Sequence, residues 1–161
     1  RYLGSTSATS ADVTGTLAPD KRPTASAHLE VVGRRVGTNQ EYDGLVSLTS
    51  AGGVQANLRK LDGSATAVNL ATARTASGLS YTAGIQPNAR LQVHGTSPTA
   101  LRLRVWANGS AEPAAWAVTT TDSSLALQAA GSVGLRSYLS GDQCAGGADG
   151  PGVLREPGRP S

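Results

Sequence analysis

The residues with the clearest chemical potential are Arg102, Arg104 and Trp106, set at every second position and so on one face of an extended strand. Trp116 follows a short loop over 108–113 that can return it near Trp106. Sugar rings lay their C–H faces on aromatic rings while guanidinium groups donate to hydroxyls, so an Arg/Trp stripe is suitable material for a saccharide platform. The plainer reading is that both indoles pack together at the rim of a core.

Catalytic constellations are thin by comparison. Hydrolysis of a glycosidic bond needs one carboxyl to protonate the leaving oxygen and another to act as nucleophile or base. The closest pair, Glu41 and Asp43, opens an alternating run and is read more simply as solvated. His28 and His94 are the only histidines, and no Gly-x-Ser-x-Gly elbow is present, so a nucleophilic triad has no material. Each histidine reads as an exposed strand or turn residue. His28 and Glu30 share a strand face, yet the further ligands a metal would need are not found, so metal content is left open. Asn108-Gly109-Ser110 fits a glycosylation sequon and reads as a turn.

Composition narrows the field. With 161 residues the chain suffices for one domain with its own core. Phe and Met are absent, so that core must be built mainly from Ala, Val and Leu. A net charge of +3, with only Lys21 and Lys60 as lysines, is too small and scattered for a nucleic-acid-binding stripe. The single Cys144 excludes an internal disulfide and a multi-cysteine zinc site. No stretch is long and apolar enough to span a membrane. The chain opens at Arg1 with no initiator methionine and no leader-like apolar run, and we expect a soluble piece of a longer protein or a processed product.

The elements that would carry these residues are strands. Apolar and polar residues alternate over 99–107, 53–61, 90–94, 131–140 and 41–50, separated by Gly, Pro, Ser, Asn and Asp. In 26–36, Leu29 and Val31 lie on one parity and Val32 and Val36 on the other, which predicts a bulge or twist beside Gly33. Residues 12–17 and 65–74 are weaker strands, and 122–130 permits a helical turn with Leu125 and Ala129 four apart. Ala51-Gly52-Gly53 and Asp62-Gly63 supply tight hairpin turns, while Thr96-Ser97-Pro98 and Asn108-Gly109 end two more strands. Eight or nine short strands with hairpin-length loops point to an all-β antiparallel sandwich or barrel over 1–141. The Gly/Pro-rich 142–161 lacks alternation and is expected to be a disordered tail.

The segments Val31-Val32-Gly33-Arg34-Arg35-Val36, Leu91-Gln92-Val93-His94-Gly95-Thr96-Ser97-Pro98-Thr99, 101–106, Glu112-Pro113-Ala114-Ala115-Trp116 and 131–141 occur in an order that carries a resemblance. Over residues 8–141 the chain resembles the concanavalin A-like β-sandwich modules that accompany PKD and fibronectin type III domains in large secreted actinobacterial proteins. The resemblance implies a jelly-roll sandwich, an extracellular location and a polysaccharide or cell-surface glycan as partner. Enzymes of that architecture carry a Glu-x-Asp-x-x-Glu-type cluster on one strand, which is absent here. Lectin-like sandwiches often hold calcium, which loop carbonyls with Asp142 would have to bind, yet no Asp-rich loop exists and no cofactor is expected. Such modules also have strands before this chain's first residues and a closing strand where the Gly/Pro tail stands. Their loss would leave an unpaired sheet edge open to self-association.

Three functions therefore compete: a non-catalytic carbohydrate-binding or adhesion module appended to a larger secreted protein, a structural spacer without ligand, and a polysaccharide hydrolase. Only the first gives the Arg/Trp stripe a task.

Overall fold

The computed structural model describes residues 1–18, 25–82 and 85–140. Among these the chain forms β1 (Tyr2–Ala8), β2 (Ala11–Thr16), β3 (Ser26–Gly37), β4 (Gln40–Leu48), β5 (Gly53–Asp62), β6 (Val68–Asn69), β7 (Arg74–Ser80), β8 (Pro87–His94), β9 (Thr99–Ala107), β10 (Val118–Asp122) and β11 (Gly131–Ser140). A turn of 3-10 helix spans Leu125–Leu127. No helix among the described residues is long and apolar enough to cross a membrane.

The strands assemble into two antiparallel sheets. The larger runs β1-β11-β3-β4-β5-β6, with β7 also paired to β5, and the smaller runs β10-β9-β8-β2. Period-two alternation explains why they close on each other: Leu101, Leu103 and Val105 of β9 and Leu91 and Val93 of β8 point inward. They meet Val31, Val46, Leu48 and Leu58 of the larger sheet in one aliphatic core. The protein is an all-β antiparallel sandwich.

The two layers come close together at Gly33. The β3–β4 register shifts between Val32 and Arg34, so the predicted bulge is present. A Cβ at Gly33 would lie 2.4 Å from Val93 Cγ2 and 2.9 Å from Leu91 Cδ2, so only glycine fits. Beyond the bulge Arg34 enters the interior and Arg35 faces out toward Glu41, its partner in register on β4.

Several expectations change. The run 65–74 is not one strand: only Val68–Asn69 pairs with β5, and β7 begins at Arg74. Strands β1, β7 and β10 escaped the periodicity because they carry few apolar residues. In β1 the pairing to β11 involves only Tyr2, Leu3 and Ala8, around an irregular Gly-Ser-Thr-Ser middle. The helical turn shrinks to Leu125–Leu127, and its inward residue is Leu127, whereas Leu125 is 91% exposed. The 142–161 segment, with Asp142 and Cys144, lies outside the described residues. At the β1–β11 edge of the larger sheet Leu3, Leu135 and Leu139 are exposed.

Candidate functional site

The outer face of the smaller sheet is assembled from the polar parity of four strands. Register sets Asp12, Gln92, Arg102 and Thr119 in one cross-strand row, with Arg90 and Arg104 in the next and Asn88 and Trp106 beyond. Arg102, Arg104 and Trp106 thus share a face as the alternation predicts, because the inward Leu101, Leu103 and Val105 are held in the core.

Trp116 reaches that face by a route only the loop determines. Ser110 N donates to Ala107 O at 3.1 Å, closing the Asn108–Gly109 turn, and Ala117 N donates to Leu103 O at 2.9 Å. The loop therefore folds back over β9, and the Arg104 guanidinium lies 3.7 Å from the centre of the Trp116 ring. Arg104 Nη1 also donates to Pro113 O at 2.5 Å, and its Nε lies 3.2 Å from Glu112 Oε1 as an ion pair. The expected meeting of the two indoles does not occur: among the described residues they make no ring contact with each other, and both are half-buried. Arg104 is thus a clamp for the loop and for Trp116, its charge paired with Glu112 while its buried Nε makes no hydrogen bond among the described residues.

Arg90 organises the neighbouring row. Its Nε and Nη2 grip Asp12 in a two-pronged pair at 2.8 and 2.6 Å, and its Nη1 donates to Glu112 Oε1 at 2.9 Å. Gln92 Nε2 adds a bond to Asp12 Oδ2 at 2.8 Å. The Arg90 hydrogen bonds hold the Asp12 carboxyl below its usual range against the opposing effect of burial. Arg102 is different: it is exposed, and among the described residues it has neither an ion pair nor a hydrogen bond. It borders two shallow depressions, one of about 410 Å³ with Ser10, Asp12, Gln92, His94 and Ala100, the other of about 500 Å³ with Trp116, Thr119 and Thr121.

The outer face of the larger sheet holds a second polar assembly that the sequence reading misjudged. Glu41 and Asp43 are not solvated: they are 2% and 0% exposed. The reason is cross-strand register, which sets Asp43 opposite Arg59, Glu30 opposite Arg136 and Glu41 opposite Arg35. Arg59 Nε donates to Asp43 Oδ1 at 2.8 Å and its Nη2 to Glu30 Oε1 at 2.5 Å. Arg136 Nε donates to Glu30 Oε2 at 2.6 Å, its Nη2 to Glu41, and its Nη1 to the Tyr2 hydroxyl at 2.7 Å. The three carboxylates and three guanidiniums form one chain of pairs, in which, among the described residues, Asp43 Oδ2 alone is a buried carboxylate oxygen without a partner. Burial raises the Asp43 pKa to about 6 despite the pull of Arg59, with Glu30 and Glu41 pushing the same way.

This arrangement bears on two further candidates. Both Glu30 oxygens are committed to arginines, while His28 Nδ1 lies 2.8 Å from Ser47 Oγ and its ring stacks on Tyr138 at 4.7 Å. Among the described residues no group of three or more His, Cys, Asp or Glu side chains is arranged to hold a metal ion. His94 ends β8, exposed, beside the larger role of its neighbour Gly95, whose carbonyl Arg34 holds. Sequence reasoning overlooked Arg90, Asp12 and Glu112. The polar parity of 88–94 was the available signal for Arg90, whereas the loop position of Glu112 carried none.

Compared with known proteins, the chain matches no family model, no curated protein and no solved structure.

Proposed function

We propose that the chain is a non-catalytic carbohydrate-binding module of a larger extracellular protein, using the outer face of the smaller sheet. The carrying observation is the Trp116 indole, fixed by Arg104 at 3.7 Å, beside the uncommitted Arg102 and the hydroxyls of Thr119 and Thr121. An immobilised aromatic next to fixed donors and acceptors meets a pyranose with little loss of side-chain freedom. The resemblance to concanavalin A-like modules supports the same reading and its extracellular setting. The chain of ion pairs around Glu30, Glu41 and Asp43 argues against hydrolysis, since acid and nucleophile roles require carboxyl oxygens free to face a substrate.

The test is retention on gels cast with soluble polysaccharides, neutral and acidic. Retention that falls in Trp116→Ala, with an unchanged circular dichroism spectrum, supports the proposal. No retention on any polysaccharide would leave the spacer reading in its place. Release of reducing sugar that disappears in Glu41→Gln or Asp43→Asn would restore the hydrolase.

A further inference from the structure

We propose that Arg102 receives the anionic group of an acidic saccharide, so that the module distinguishes charged from neutral chains. This rests on the carbohydrate-binding reading above and names its ligand class. The argument begins with a charge inventory of one face. The charges of Arg90 and Arg104 are paired with Asp12 and Glu112, and Arg104 Nη1 also holds the Pro113 carbonyl. Arg102 is the surplus guanidinium of this face. The carboxylate in its own cross-strand row is Asp12, but Oδ1 accepts from Arg90 and Oδ2 from both Arg90 and Gln92. The fold has thus neutralised two arginines and left the third available.

Position favours a ligand for that charge. Arg102 stands on β9, flanked by β8 and β10, so its backbone is held on both sides. Thr119 is directly opposite it on β10, and Gln92 directly opposite on β8. The adjoining row is His94, Ala100 and Thr121, where the small Ala100 between two larger neighbours lowers the floor beside the guanidinium. A carboxylate or sulfate meeting the planar fork of an arginine binds it through two parallel bonds. The Trp116 indole on the same rim would take the sugar ring that bears it. One cation serves one anion, which suits a chain with a single charge per residue rather than a polyphosphate.

The experiment uses the 161-residue chain, with oligogalacturonate, oligoalginate and hyaluronate oligomers for carboxylates and dextran sulfate for sulfate. Methyl-esterified oligogalacturonate and dextran are the neutral counterparts. Titration calorimetry at physiological salt is expected to show at least about tenfold tighter binding of the acidic member of a pair, the scale of one charge-assisted contact. Arg102→Gln should abolish that preference, Arg102→Lys should recover part of it, and Arg74→Gln, which removes an exposed charge from β7, should leave it intact. A preference confined to dextran sulfate and lost in Arg102→Gln assigns the anion as a sulfate. Neutral and acidic oligomers bound equally, or Arg74→Gln acting like Arg102→Gln, would overturn the role of Arg102 and leave the carbohydrate reading standing. Binding to none of these probes would overturn both.

Discussion

Arg59 Nε and Asp43 Oδ1 lie 2.8 Å apart on directly opposed positions of β5 and β4, with Asp43 wholly shielded from water. A buried pair of this kind gives back much of its Coulombic attraction as lost hydration. Burial prevails here, and Asp43 titrates near 6. An unfolded aspartate titrates near 3.9, so between about pH 4 and 6 the folded form holds the proton more tightly.

Stability is therefore expected to fall as pH rises through 6, by up to about 3 kcal/mol. Asp122 acts in the opposite sense. Burial works to raise its pKa, but hydrogen bonds from Tyr42, the Ser124 backbone and Lys60 outweigh it and bring the group to about 2. Its contribution is present above the unfolded value and is lost as pH falls toward 2. Thermal unfolding should show a maximum near pH 4 to 5, and Asp43→Asn should flatten the limb above it. A melting temperature that climbs from pH 5 to 7.5 would be the contrary result.

Arg34 should prove one of the costliest residues to replace. Its guanidinium enters the sandwich interior and donates to Thr99 Oγ1 at 3.0 Å, Leu127 O at 2.9 Å, Gly95 O at 2.7 Å and Thr9 O. It thereby ties three separate connections of the chain to β3. Arg34→Met removes the buried donor of the Thr9 and Leu127 carbonyls and is expected to lose about 3 kcal/mol in urea unfolding, while Arg34→Lys, lacking the planar fork, should recover only part. An unchanged midpoint in Arg34→Met would contradict the assignment.

Gly33→Ala tests the contact between the sheets. The added methyl meets Val93 and Leu91 well inside van der Waals distance. Overpacking of this kind costs about 1–3 kcal/mol, readable as a lower urea midpoint. Val93→Ala in the same chain should make room and reduce the penalty that Gly33→Ala adds. Equal penalties in both backgrounds would mean that the sheets part freely at this point.

The Arg104–Trp116 stack has a spectroscopic signature. In a Trp106→Phe background the remaining emission belongs to Trp116. Arg104→Gln should remove the cation above the ring and free the Pro113 carbonyl, giving red-shifted emission and stronger quenching by iodide. Emission that keeps its wavelength and accessibility would show that the loop holds Trp116 without Arg104.

What could be learned from the order of residues alone was the direction of side chains. On a pleated strand direction alternates whatever the neighbours are, so the inward Leu101, Leu103 and Val105 and the outward Arg102, Arg104 and Trp106 were legible from β9 by itself. The bulge at Gly33 and the turns at Gly52, Gly63 and Gly109, three glycines with positive φ, were legible from local sequence as well. Which strand lies beside which is a long-range matter. Glu30 meets Arg136 across 106 positions, and Arg34 meets Leu127 across 93. Only the assembled sheets could turn Glu41 and Asp43 from solvated carboxylates into buried ones, draw Arg34 inside, bring Trp116 to Arg104, and leave Arg102 without a partner among the described residues. Local alternation decides which face a residue occupies, whereas the pairing of distant strands decides what it finds there.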